Sequence, residues 1–389
     1  MAGIYLHIPF CNSKCIYCGF YSVVARPFRK QFIPALEREI QGRRNFFSNL
    51  YPEDRTVRTL YIGGGTPSVL DISILEQAVS LLRGSFTFPA EAFHTSDPDV
   101  FEFTVEVNPD DISPLYASSL RKMGVNRVSM GVQSFQDPHL EWMGRRHNAA
   151  QAVQSFRILR DAGFTNISLD LIFGFPLLTQ GQWEGNLQKI ITLRPEHISA
   201  YQLGIDADTP LERLAGEGKF SLPSEEVCAA QYKTLQEKLS EAGYTQYEVS
   251  NFCLPKWQSR HNSSYWKRSP YLGLGPGAHS FIGRGREWNF QDISTYCDLS
   301  TKELREGENL TPRDVFNELL MLGLRTAEGV SLKDLRECDP RSGEFLSQIL
   351  PIFPGLQSRG LINLTKDGRI KIPPEKFFVS DGIIRELFV

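Results

Sequence analysis

The sequence predicts an α/β protein of parallel βα units, followed by a small C-terminal domain made of helices and a β-hairpin. Three observations carry this expectation. Six strand-like runs alternate with five helix-like stretches through the first half of the chain. A helix that ends on a glycine and then enters a strand recurs as Lys122-Met123-Gly124-Val125-Asn126, Asp161-Ala162-Gly163-Phe164-Thr165 and Glu241-Ala242-Gly243-Tyr244-Thr245. Near the end, Leu361–Thr365 and Arg369–Ile372 flank Lys366-Asp367-Gly368, a hairpin signal with glycine in its turn.

The first strand is expected over Ile4–Ile8, where Ile4, Leu6 and Ile8 alternate with Tyr5 and His7. The others are Val57–Ile62, Phe101–Val107, Arg127–Val132, Ile167–Phe173 and His197–Leu203. Helices are expected over Pro34–Phe47, Ile72–Arg83, Pro114–Lys122, Ala149–Ala162 and Trp183–Leu193. The third has Ser113 as N-cap, Pro114 in its first turn and Gly124 just past its end. The fourth has Asn148 as cap and Gly163 as stop. Pattern alone does not separate an open doubly wound sheet from a barrel. From about residue 250 to 300 the chain is rich in aromatic residues, glycine and serine, with weak periodicity. A helical pattern returns after Thr311 as cap and Pro312.

The chain has 389 residues and a net charge of −3. It is long enough to bury a core without covalent staples, and no overall basic field draws it to nucleic acid or anionic lipid. The seven cysteines are unevenly spread and do not form a disulfide framework. Cys228, Cys253, Cys297 and Cys338 read as small core residues. The start, Met1 to Tyr5, is no secretory signal, and no apolar run reaches the ~20 residues of a membrane span. The expected compartment is the cytoplasm, with peripheral membrane association left open.

The strongest chemical signal is Cys11, Cys15 and Cys18 in a C-x3-C-x2-C loop after the first strand. Three thiolates in one short loop can each hold one iron of a cuboidal cluster. The fourth iron then has no protein ligand nearby and is open to a small molecule. The alternative is a structural zinc site, which needs four closed ligands, with His7 as the only nearby fourth donor.

With Tyr17 before the third cysteine, this segment resembles the radical S-adenosylmethionine (SAM) superfamily. The resemblance implies a [4Fe–4S] cluster on Cys11, Cys15 and Cys18, with SAM bound at the open iron. It also implies an electron donor, reductive cleavage of SAM to a 5′-deoxyadenosyl radical, and a partial (β/α)6 TIM-like barrel.

Further segments narrow the likeness. Gly63-Gly64-Gly65-Thr66-Pro67 follows the second strand, and its amides could approach a ligand's polar groups closely. Glu106, Gln133, Arg145 and Asp170 lie mostly at or near the C-terminal ends of strands, where barrels place their ligand sites. These segments look like the oxygen-independent coproporphyrinogen III oxidase family and its relatives. By that resemblance Tyr5, Gly64, Gly65, Thr66, Glu106, Gln133, Arg145 and Asp170 are SAM-contacting positions, some serving a second SAM in the oxidase itself. The resemblance covers nearly the whole chain. It divides it into a barrel (1–245), an aromatic, glycine-rich extension (246–304) and a winged-helix-like C-terminal domain (305–389).

Two departures argue against oxidase activity. The oxidase carries another cysteine two residues after the triplet, where this chain has Phe20, and it has an N-terminal extension before the first strand. His261-Asn262-Ser263-Ser264-Tyr265-Trp266 instead matches the H-N-x-x-Y-W motif of the family's heme-chaperone branch. An imidazole such as His261 is a good heme ligand, and Tyr265 and Trp266 offer flat surface to a porphyrin. The bland alternative for His261 is hydrogen bonding within an aromatic cluster. His279, in Gly275-Pro276-Gly277-Ala278-His279, is a rival ligand.

The expected function is therefore to bind heme and pass it to recipient hemoproteins such as respiratory cytochromes. Two alternatives stand beside it. One is SAM-dependent oxidative decarboxylation of coproporphyrinogen III. The other is nucleic-acid binding by the C-terminal domain, for which Arg359, Lys366, Arg369 and Lys371 make only a weak basic footprint.

Overall fold

The structure, a computed structural model, describes residues 2–24, 26–300 and 304–389. Met1 and residues 301–303 of the expected extension lie outside the described residues.

The six expected strands form as β1 (Ala2–Ile8), β2 (Val57–Gly64), β3 (Glu102–Val107), β4 (Arg127–Gln133), β5 (Ile167–Phe173) and β6 (His197–Gln202). They lie side by side in chain order, each parallel to the next. The helices packed between them are α1 (Arg29–Arg43), α2 (Ile72–Ser85), α3 (Pro114–Met123), α4 (Asp137–Trp142), α5 (Ala149–Asp161) and α6 (Gln180–Leu193). Capping explains where several begin. Ser113 accepts from the Tyr116 amide, while Asn148 with Gln151 and Thr179 with Gln182 form capping boxes. The repeated glycines Gly124, Gly163 and Gly243 all take positive φ (98°, 86° and 86°), the left-handed geometry that ends a helix.

The first helix departs from expectation. It starts at Arg29 rather than Pro34, ends at Arg43, and keeps Pro34 inside. An interior proline costs ~3 kcal/mol. Burying Phe32, Leu36 and Ile40 along the same face contributes ~1.5–3 kcal/mol each. Packing outweighs the lost hydrogen bond.

The period-2 alternation of the strands sorts apolar from polar residues. Ile4, Leu6 and Ile8 of β1, Val128, Met130 and Val132 of β4, and Leu169, Leu171 and Phe173 of β5 are buried in the apolar core. The alternate positions carry Tyr5 and His7, Ser129, Gly131 and Gln133, and Asp170 and Ile172, which line cavities. Tyr5 of β1 and Tyr201 of β6 line the same cavity, so the sheet curls until its two ends face each other. The result is an open barrel with a polar interior.

After β6, α7 (Pro210–Gly216) and α8 (Glu225–Glu241) lead to β7 (Thr245–Gln246) and β8 (Asn251–Cys253), which add antiparallel strands beside β6. α9 (Arg260–Trp266) precedes β9 (Tyr271–Leu274), which pairs parallel with β1. β10 (His279–Ile282), β11 (Gly285–Asn289) and β12 (Arg305–Asn309) continue antiparallel, so the sheet runs through residue 309. A second unit follows. α10 (Ile293–Cys297) lies before it, and α11 (Pro312–Leu324) opens it with a Thr311–Asp314 capping box. Three short antiparallel strands then form, β13 (Val330–Ser331), β14 (Asn363–Leu364) and β15 (Arg369–Lys371), the last two being the expected hairpin. No helix among the described residues is long and apolar enough to cross a membrane.

Candidate functional site

The cysteine loop leaves β1 and is tied back at both ends. Cys11 N–H donates to Val23 (3.0 Å) and Ile16 N–H to Met143 (3.2 Å). The glycine-rich turn after β2 stitches onto the same loop. Gly65 N–H donates to the Ile8 carbonyl (2.7 Å) and Thr66 N–H to the Phe10 carbonyl (2.9 Å). A side chain at Gly65 would sit 2.7 Å from the Phe10 oxygen, so only glycine lets the two loops meet. Here the expectation that these amides face a ligand is corrected. Gly64 N–H is also taken, by Glu106 Oε2 (3.0 Å), so the turn's amides hold the site together.

All seven cysteines are free thiols, Cys11 buried and Cys15 and Cys18 half-buried. Burial pushes the Cys18 thiol up to about 11 and raises that of Cys11. His7 is no fourth zinc ligand. Its Nδ1 pairs with the Tyr5 hydroxyl (3.0 Å) and its Nε2 with the Tyr21 carbonyl (2.9 Å). Among the described residues no three His, Cys, Asp or Glu side chains converge on a single metal-ion position.

Beside the loop, at the C-terminal mouth of the barrel, lies a cavity of about 460 Å³. Its wall includes Tyr17, Cys18, Gly64, Gly65, Thr66, Glu106, Gln133, Arg145 and Asp170. Gln133 reaches it through an irregularity in β4 that leaves this residue at φ 67°. Arg145 organises one side. Its Nη2 donates to Asn108 Oδ1 and to the Gly131 carbonyl (2.7 Å each), and its Nη1 lies 3.7 Å from Cys15 Sγ. Asn108 passes the contact on to Thr66 Oγ1 (2.8 Å). Opposite, Glu106 accepts from Tyr61 (2.7 Å), and burial raises its carboxyl to about 7. Burial also raises Asp170, which accepts long hydrogen bonds from Ser129 and Ser168 (3.4 Å). Arg127, 1% exposed with Nε and Nη1 unpaired, is a buried cation whose charge favours ionisation of both carboxyls.

A second cavity of about 460 Å³ adjoins the first. Gly19, Phe20, Tyr61, Glu106, Tyr201 and Asn262 line both. Tyr5, His7, His261, Tyr265, Tyr271 and His279 are among the residues that line the second alone, so it collects aromatic and histidine residues. His261 is 1% exposed, and both ring nitrogens are engaged. Nδ1 pairs with Thr59 Oγ1 (2.9 Å) and Nε2 with the Tyr265 hydroxyl (2.7 Å). Burial pushes its pKa down to about 3. Trp266 was expected to face a porphyrin but lines neither cavity, and its indole nitrogen is buried without a partner. A further groove of about 530 Å³, between α5 and α6, carries none of the expected site residues.

Sequence reasoning did not single out Tyr61, Asn108, Arg127, Ser129 or Tyr201. The signal was available in part, because a polar residue at an inward-facing strand position marks each except Asn108.

Residues 5–190 match the radical SAM superfamily, and residues 310–375 match the HemN C-terminal domain. Over 369 residues the chain is 35% identical to the heme chaperone HemW of Bacillus subtilis, covering 93% of each chain. The chain belongs to the HemW family. The HemW of Escherichia coli is 34% identical over 282 residues, 72% of this chain and 70% of that one. The mitochondrial radical S-adenosyl methionine domain-containing protein 1 of Danio rerio is 31% identical over 85% of this chain and 74% of its own. The coproporphyrinogen III oxidase HemN of Escherichia coli superposes over all of this chain and 90% of its own, with a TM-score of 0.82 at 24% identity. That likeness shows the α/β radical SAM fold.

Membership of the superfamily implies a [4Fe–4S] cluster and SAM. The residues of this HemW-family chain fit both groups. Three free thiols in one short loop suit a cluster in which each holds one iron and the fourth iron is open. The cavity beside them is of cofactor size and is lined by three carboxyls (Glu106, Asp170 and Asp206) and one cation, Arg145, whose Nε is buried and unpaired.

Proposed function

We propose that this protein binds heme and hands it to recipient hemoproteins, respiratory cytochromes among them. The observation that carries the proposal is the pair of adjoining cavities. One is polar and lies against the cysteine loop. The other is aromatic and holds three histidines. Two ligands of different chemistry fit such a pair, SAM in the first and heme in the second.

Cys11, Cys15 and Cys18 hold the cluster in this reading, with Tyr17 packed beside it. Gly64, Gly65 and Thr66 shape the SAM pocket by fixing the glycine turn to the cysteine loop. Glu106 and Asp170 offer carboxylates to the positive end of SAM, and Gln133 and Arg145 offer donors to its carboxylate. When bound, the cluster and SAM supply one-electron chemistry, for which an electron donor is needed. Tyr5, Tyr61, Tyr265 and Tyr271 give porphyrin-sized aromatic walls, while His261 fixes the Tyr265 hydroxyl. Free thiols throughout suit a reducing compartment, here the cytoplasm.

The alternative, decarboxylation of coproporphyrinogen III, is favoured by the fold shared with HemN. Against it, Phe20 stands at the mouth of both cavities, 71% exposed, at the position of the oxidase's additional cysteine. The test loads the cluster-reconstituted full chain with heme under anaerobic conditions and adds an apo-cytochrome. Growth of the holo-cytochrome spectrum supports the carrier. The same protein is given coproporphyrinogen III, SAM and a reductant, and vinyl-bearing product would overturn the carrier in favour of the enzyme.

A further inference from the structure

We propose that His279, rather than the motif histidine His261, is the protein's ligand to heme iron. The inference rests on the heme-carrier reading and assigns the iron contact within it.

Three histidines line the aromatic cavity, and two have no nitrogen to give. His7 is held at Nδ1 by Tyr5 and at Nε2 by Tyr21. His261 is held at Nδ1 by Thr59 and at Nε2 by Tyr265. The His261 ring is also wedged in place. It stacks on Tyr61 with centroids 5.0 Å apart, and its Cε1 and Nδ1 lie close to Gly3, where an added Cβ would be 3.6 Å from each. Its backbone is pinned as well, since Glu102 accepts from the amides of Arg260 and His261 (2.9 Å each) at the start of α9. Turning this imidazole toward a metal breaks two hydrogen bonds and leaves buried groups unpaired.

His279 differs on every count. It is exposed at the start of β10, and neither ring nitrogen makes a hydrogen bond among the described residues. Its ring stacks on Trp288 of the neighbouring strand, with centroids 5.9 Å apart and planes 28° apart, which fixes its plane without using its nitrogens. Burial of part of the ring and nearby Arg286 lower its pKa, keeping a lone pair available at neutral pH. The turn that delivers it is built in. Gly275 and Gly277 take positive φ between β9 and β10, the Gly275 amide is held by buried Glu39 (2.8 Å), and Gly277 itself lines the cavity.

The assignment suits a carrier. Binding forms one iron–nitrogen bond to a neutral imidazole, with no proton or electron exchanged. Release breaks that bond as the recipient's own ligand takes its place, and an exposed histidine at the rim is open to such exchange. His261 is then a positioning residue that orients Tyr265 and anchors α9.

The test is an anaerobic ferric-heme titration of the cluster-reconstituted full chain, read by absorbance and electron paramagnetic resonance. Wild type is compared with His279→Ala, His279→Cys and His261→Ala. The expected result is that His279→Ala loses the histidine-type spectrum and binds on the order of tenfold more weakly. Added imidazole restores that spectrum, and His279→Cys moves it to a thiolate type. His261→Ala keeps the wild-type spectral shape, with weaker affinity. An unchanged spectrum in His279→Ala and His279→Cys, or its loss in His261→Ala alone, overturns the assignment and leaves the carrier reading standing. Failure of wild type to bind heme saturably overturns the carrier reading and this assignment with it.

Discussion

The Arg145 guanidinium lies 3.7 Å from the Cys15 sulfur and, through its other nitrogen, bonds Asn108 and the Gly131 carbonyl. One side chain thus couples the cysteine loop to β4 and to the loop after β3. Burial opposes its charge, but neighbouring Tyr17 and Cys15 favour the protonated form and raise its pKa. Arg145→Lys keeps a cation but loses the fork that reaches three acceptors. SAM affinity is expected to fall by about tenfold or more, since hydrogen bonds from a charged donor contribute ~1.5–3 kcal/mol each. Calorimetric titration of reconstituted protein checks this, and unchanged affinity would remove Arg145 from the site.

Gly65→Ala places a methyl group against the Phe10 backbone, next to Cys11. Neither loop can yield without moving Cys11. Iron and sulfide content after reconstitution should drop well below wild type. Gly84→Ala is the control, because nothing lies within 4 Å of its added Cβ and it sits in α2. It should load normally and gain ~0.5–1 kcal/mol of stability.

Burial disfavours the charge of Glu106 and raises its carboxyl to about 7. SAM carries a permanent positive charge at its sulfonium, so the ionised carboxylate attracts it and the neutral acid does not. SAM affinity should therefore rise as pH climbs through 7. Glu106→Gln should flatten that dependence, as binding isotherms between pH 6 and 8 would show.

Much of this site was legible before the fold was. The C-x3-C-x2-C spacing, the caps at Ser113 and Asn148, and the alternation that turns Tyr5 inward are all local patterns. The Pro34 helix was misjudged because its stability comes from tertiary burial of Phe32, Leu36 and Ile40. The occupancy of His261 was invisible for a related reason. Thr59 lies 202 residues away in sequence, and only the pairing of β2 beside β1 and the docking of α9 bring it to the ring. Trp266 carried a motif letter, but its burial depends on how α9 packs.

Glu248 is 1% exposed, with Oε1 unpaired, next to the point where the barrel meets Thr326 of the C-terminal unit. Burial raises its carboxyl to about 7 from the ordinary 4.5. A carboxyl shifted this way favours the fold below about pH 4.5, and that contribution is lost as pH rises through 7. Its size is up to about 3 kcal/mol. Glu248→Gln should melt like wild type near pH 4 and at a higher temperature near pH 8. Parallel melting curves at both pH values would refute this.

A protein that carries heme must bind it at a defined site, which direct heme titration of the cluster-reconstituted wild-type protein under anaerobic conditions reads out. The expected result is saturable binding with a distinct absorbance band that persists through gel filtration. Absorbance that grows without saturation and is lost on the column would contradict it.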